Sequence, residues 1–237
     1  MSHNPNAQLM DQPVGSGETP VYDGMKLTDD LVLNMASGKG IRVDTDAPTF
    51  GWRDITGYPT LRGNASVDPT WDTYRGNIRQ FKMDTTNKAL TFCFHLPHDY
   101  VPGSDMYFHV HWSHIIATVT TGGVTWNAES TYSKGHDQAS FAAPKTVSLA
   151  QNAVTGASGQ YRHMIAEGII SQDGTTDPNL WNRNDFEVDG LVIVRLNWSA
   201  NTMDAGALPF VHTCDLHYQS NNMATKDKAP NFYTPPA

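Results

Sequence analysis

The chain has 237 residues and a net charge of −8, from 24 acidic and 16 basic side chains. No block of lysine or arginine gathers into a patch, which argues against nucleic acid or an anionic membrane as a partner. The length suits one β-sandwich domain with an arm, and the two cysteines, Cys93 and Cys214, lie inside apolar runs and are expected to be buried and unbridged, as in a reducing compartment.

The N-terminal stretch MSHNPNAQLMDQ lacks a basic segment followed by an apolar one, so no signal peptide is expected, and no apolar run approaches membrane-spanning length. Residues 1–35 carry Pro5, Pro13, Pro20 and the glycines of VGSGETP without helical or strand periodicity. They are expected to form an extended arm that orders only against a partner, with Pro13, Val14, Pro20, Val21 and Tyr22 as the contact residues. Residues 36–237 form the expected β domain. At the junction, short apolar runs, LVLNM (31–35) and IRV (41–43), stand on either side of the turn Gly38-Lys39-Gly40, as in a hairpin or a turn between short strands.

From there the pattern is repeatedly β. FGWRDITG, ALTFCFHLP, DMYFHVHWSHIIATV, VTWNAESTYS, KTVSLA, YRHMIAEGII, GLVIVRLNW and FVHTCDLHYQS are rich in Val, Ile, Thr and aromatics and are punctuated by Gly, Pro, Asn and Asp. About eight strands without a long amphipathic helix predict an all-β, jelly-roll-like antiparallel β-sandwich with an extended N-terminal arm. SLAQNAVTGASG is compatible with a short helix or a long loop. In GLVIVRLNW the alternation places Val192, Val194, Leu196 and Trp198 in the core and opens the other face towards Arg195. In LTFCFHLP both faces are fairly apolar, as in a central strand or one at a subunit contact.

The run FHVHWSH concentrates the chemistry. Strand alternation puts Tyr107, His109 and His111 on one face and Phe108, Val110, Trp112 and His114 on the other, so two imidazoles at i and i+2 are able to converge on one ion. Gly103, His109 and His111 match the opening Gly-x5-His-x-His of the cupin metal motif, but Ile115 and Ile116 stand where its glutamate should follow. His217 and Asn221 match the His-x3-Asn ending of the second cupin motif without its preceding Pro and Gly. The metal candidates are therefore His109, His111 and His217, with the acidic ligand missing, and the expectation is of structural histidines with no metal or cofactor. His95 and His98 fall at a strand end. No Gly-x-Ser-x-Gly elbow, P-loop or dinucleotide fingerprint occurs, and the acidic runs Asp29-Asp30, Asp44/Asp46 and Asp185/Glu187/Asp189 read as solvated loops before they read as cation or paired-carboxylate sites. No enzymatic activity is expected.

Three stretches carry a more specific likeness. GKGIRVDTDAPTFGWRDITG (38–57), LPHDYVPGSDMYFHVHW (96–112) and DLHYQSNNMATKDKAPNFY (215–233), with DGLVIVRLNW (189–198) between the last two, resemble a family of tailed-bacteriophage virion proteins. The resemblance implies a jelly-roll-like domain present in multiple copies on the particle, as a homotrimer, without catalysis. Assembly in a host cytoplasm and residence in the virion follow. The arm would dock on another virion protein, a tail adaptor for a short tail fibre or the major capsid protein for a head decoration protein, and the tail placement is preferred. Tyr107, His109 and His111 are the expected subunit-interface residues. Two other classes stay open at this point: a cupin-like metal-dependent enzyme, and a carbohydrate-binding module presenting Trp126, Trp181 and Trp198.

Overall fold

The computed structural model describes residues 51–232, apart from positions 62, 65, 174, 175, 222, 223 and 226. The expected arm over 1–35 with Pro13, Val14, Pro20, Val21 and Tyr22, the turn at Gly38-Lys39-Gly40 and the acidic pairs at 29–30 and 44/46 lie outside the described residues.

β-Branched and aromatic residues alternating with polar ones pair into two antiparallel sheets. The larger has six strands: β1 (Gly51–Gly57), β2 (Thr70–Arg75), β3 (Ile78–Lys82), β5 (Tyr107–Ser113), β8 (Met164–Ile169) and β12 (Phe210–Ser220). The smaller has four, in the order β4 (Leu90–His95), β11 (Leu191–Asn201), β6 (Gly123–Ser133) and β7 (Lys145–Asn152). The described residues also include a two-residue parallel pair, β9 (Ser171–Gln172) and β10 (Trp181–Asn182), and a 3-10 turn at Arg183–Asp185. No helix among the described residues is long and apolar enough to cross a membrane.

The sheets stack face to face as a jelly-roll-like antiparallel sandwich, as the strand pattern predicts. β12 is the spine of the larger sheet: β5 runs along one side of it, while β3 and then β1 occupy the other. Phe108, Val110 and Trp112 of β5 meet the smaller sheet's inner residues. The Phe94 and Phe108 rings lie edge to face at 5.9 Å, and Trp112 and Trp126 at 6.0 Å, geometries that aromatic quadrupoles favour. Two glycines on the larger sheet face side chains of the smaller sheet directly. A Cβ at Gly57 would stand 2.5 Å from the Phe94 ring, and one at Gly168 would stand 2.7 Å from Leu149 Cγ.

Several expectations need correction. Cys214 is fully buried, but Cys93 is exposed. β4 is an edge strand, so alternation turns Leu90, Phe92 and Phe94 inward and leaves Cys93 and His95 facing solvent, with no second covering layer. Both thiols are free. Trp126 and Trp181 are core residues and Trp198 is half-buried against the core, so these three do not form an exposed aromatic platform. SLAQNAVTGASG is neither all helix nor all loop: β7 continues to Asn152, and turns follow. The hairpin of β2 and β3 was not anticipated. It closes through Gly76-Asn77, with Gly76 at φ 58, a left-handed conformation that glycine adopts without penalty.

Candidate functional site

The outer face of the six-stranded sheet carries five of the chain's histidines, placed there by register. β5 turns Tyr107, His109 and His111 outward, as the alternation predicts. Antiparallel pairing sets Asp215 beside His109 on one side and Glu167 beside it on the other. The next row aligns Asp54, His217, Tyr107 and Ile169. His114 falls on the opposite, inner face, fully buried, with Nε2 3.2 Å from the Val154 carbonyl.

His109 is 8 % exposed and lies between two carboxylates, with Nδ1 2.9 Å from Asp215 Oδ1 and Nε2 2.8 Å from Glu167 Oε2. The Asp215 carboxylate raises the His109 pKa, burial opposes it, and Glu167 adds to the rise. His111 places Nε2 against Asp215 Oδ2 and Nδ1 2.7 Å from His163 Nε2, with the two rings stacked at 4.9 Å. Asp215 is 5 % exposed. Burial acts to raise its pKa, yet the hydrogen bonds and charges of His109 and His111 outweigh that and bring it down to about 2. Its Oδ1 is buried and faces His109 Nδ1 at 2.9 Å.

Around this centre, His217 Nδ1 is 2.5 Å from Asp54 Oδ1, the His217 ring is 4.9 Å from that of His109, and Trp52 stacks on it at 4.8 Å. His163 is lowered by burial and then by the charge of His111. His212 sits at a bulge in β12, 2.7 Å from Ser113 Oγ, and burial pushes its pKa down to about 4. One donor atom each from His109, His111 and Asp215 lies within 4.8 Å of the others, and the same holds for Asp54, His109 and His217.

All three sequence-derived metal candidates lie on this face, but His111 and His217 fall in different donor groups that share only His109. They lie outside the sandwich, not in a barrel interior. The acidic partner that the cupin-like spacing lacks comes from Asp215, 104 residues beyond His111. Sequence reasoning missed Asp215, Glu167, Asp54 and His163. The Asp-x-His of DLHYQ held a usable signal, since i and i+2 share a strand face. Of the proposed interface set, Tyr107 and His111 are partly exposed, whereas His109 is buried within its own chain.

Two other carboxylates gather polar partners. Asp189 holds His95, His98 and His136 at 3.3, 2.9 and 2.9 Å, which accounts for two histidines at the end of β4. Glu187 instead faces Lys134 and Gln138, so Asp185, Glu187 and Asp189 do not converge as a cation site. Asp99 accepts from Arg53 Nη1 at 3.0 Å, the Tyr218 hydroxyl at 3.0 Å and Ser220 Oγ at 2.5 Å. A hollow of about 340 Å³ on the outer face of the smaller sheet is lined in part by Thr91, Glu129, Thr131, Ile193 and Arg195, apart from the histidines.

No family model matches the sequence, and no curated protein does. Solved structures with related sandwiches include the CBM22-1–GH10 modules of endo-1,4-β-D-xylanase 10B from Clostridium thermocellum, complexed with xylohexaose, at 9% identity and a TM-score of 0.32 over 75% of this chain. They also include CBM35 of Abf62 from Cellvibrio japonicus, at 10% identity, a TM-score of 0.31 and 72% of this chain, and the xylan-binding module CBM15, at 12% identity, 0.29 and 75%. The chain spans 28% of the first of these and 99% and 95% of the other two. The likeness is one of β-sandwich architecture.

Proposed function

We propose that this chain is a structural, non-catalytic component of a tailed-bacteriophage virion, attached to the tail as a short-fibre protein through residues 1–35 and present as a homotrimer. Head decoration is the alternative placement. The observation that carries the reading is the meeting of separate stretches at Asp99. Arg53 from GWRDITG, Asp99 from LPHDY, and Tyr218 and Ser220 from HYQS share that one carboxylate. The Val101 amide also donates to the Gln219 carbonyl, and the Asn221 amide to that of Asp99. The stretches whose likeness to virion proteins was noted from sequence therefore meet in one architectural joint, which supports a structural role for them.

Exposed apolar groups support the multimeric part of the reading. Trp52, Trp71 and Ile78 are 44%, 47% and 59% exposed on β1, β2 and β3, and Ile165 is 42% exposed on the outer face beside His111. The test is antibody labelling of purified particles, with the label counted against the major capsid protein. Label at the tail in a small multiple of three supports the proposal, label over the shell moves the chain to the head, and unlabelled particles overturn the virion reading.

A further inference from the structure

We propose that the outer face of the six-stranded sheet binds one divalent transition-metal ion of the zinc class per chain, through His109, His111 and Asp215. The site goes beyond the virion reading and stands or falls separately from it. Three observations carry it. The donor atoms lie within 4.8 Å of one another on two adjacent strands held in register by the β5–β12 ladder. Tetrahedral zinc with bonds of about 2.0–2.2 Å needs its donors roughly 3.3–3.5 Å apart, inside the 4.8 Å spread of these atoms. Asp215 is 5 % exposed and its buried Oδ1 faces His109 Nδ1 at 2.9 Å, so a buried carboxylate oxygen and an imidazole nitrogen point at each other where a cation would take a lone pair from both.

The third observation concerns the nitrogens that face away. Metal-bound histidines hold their second ring nitrogen on a fixed partner, which sets the tautomer and the ring orientation. Here His109 turns Nδ1 to Asp215 while Nε2 is held by Glu167 at 2.8 Å, and His111 turns Nε2 to Asp215 while Nδ1 is held by His163 at 2.7 Å. Each imidazole is anchored from behind with its free side converging on the same carboxylate. Two nitrogens and one oxygen suit zinc, cobalt or ferrous iron and not magnesium or calcium, which take oxygen donors. Asp54, His109 and His217 form a poorer set, because Asp54 is exposed. Three protein ligands leave a coordination position for water or for a group from another molecule.

The competing account is a metal-free network in which His109 and His111 merely pair with Asp215 and Glu167. Calorimetric titration of Zn²⁺ into untagged, chelator-stripped full-length protein separates the two. The expected result is one Zn²⁺ per chain, weakened at least tenfold by His111→Ala and by Asp215→Asn, about tenfold by Glu167→Gln, and unchanged by His136→Ala in the Asp189 cluster. Co²⁺ added to the wild-type chain should give a visible absorption band that Zn²⁺ abolishes, a readout that needs no variant and so survives any failure of a variant to fold. No Zn²⁺ binding by the wild type, binding equal in His111→Ala, or a Co²⁺ spectrum identical to that of the aquo ion would each overturn the site.

Discussion

At the scale of single residues, Cys93 and Cys214 resemble each other in sequence and differ in chemistry. Cys93 faces solvent on edge strand β4, while Cys214 is wholly buried and burial pushes its thiol well above the ordinary range. A maleimide reagent is expected to modify one thiol per native chain promptly, at Cys93, and the second only in denaturant. Two prompt modifications would contradict the burial of Cys214. His212 illustrates how burial becomes a pH dependence. Its pKa lies at about 4 against 6.5 for the free side chain, lowered first by burial and then by His163 and His111. The unfolded chain takes up this proton first, so the neutral ring's contribution is complete above pH 6.5 and is lost as pH falls towards 4. The loss is at most about 3 kcal/mol, less whatever water reaches the ring. His163 shifts in the same direction. His109, raised by Asp215, works the other way and contributes below 6.5. The urea midpoint should therefore fall less between pH 7 and pH 5 in His212→Gln than in the wild type; equal falls would assign the effect elsewhere.

At the scale of elements, Asp99 fastens β1 and β12 to the turn after β4, since it takes donors from Arg53, Tyr218 and Ser220. Asp99→Ala removes a partly buried acceptor shared by charged and neutral donors and is expected to cost about 2–4 kcal/mol in urea unfolding. Burial and then the Asp99 hydrogen bond push the Tyr218 phenol up to about 12, so one tyrosine should also titrate closer to its usual value of 10 in the variant, followed by ultraviolet absorbance. A variant as stable as the wild type would remove Asp99 from the joint. The strands themselves were legible wherever apolar alternation was strong, as in GLVIVRLNW, whose inward set includes the buried Val192, Val194 and Leu196. β2 and β3 were not legible, because Asp72, Arg75, Arg79 and Lys82 dilute their periodicity and the hairpin joins the sheet only where β3 meets Phe210 and Val211 of β12. The histidine face was half legible. Spacing within β5 places His109 and His111 together, but Asp215 reaches them through strand register, which no local window contains.

At the scale of the whole molecule, the exposed Trp52, Trp71, Ile78 and Ile165 offer apolar surface for subunit contacts, and the proposed virion role makes the expected oligomer a trimer. Light scattering at micromolar concentration should return about three times the chain mass of 26.1 kDa, and a stable monomer would remove the multimeric part of the proposal. The position of β12 has a consequence for the birth of the protein. Residues 210–220 form the spine on which β1, β3 and β5 all depend, so those three segments leave the ribosome long before the strand that joins them exists. Until then their backbone edges stand open to neighbouring nascent chains. Messages broken upstream of residue 210 yield chains that are unable to close the larger sheet and are left to proteases or aggregates, so only translation past the spine delivers a body fit for assembly.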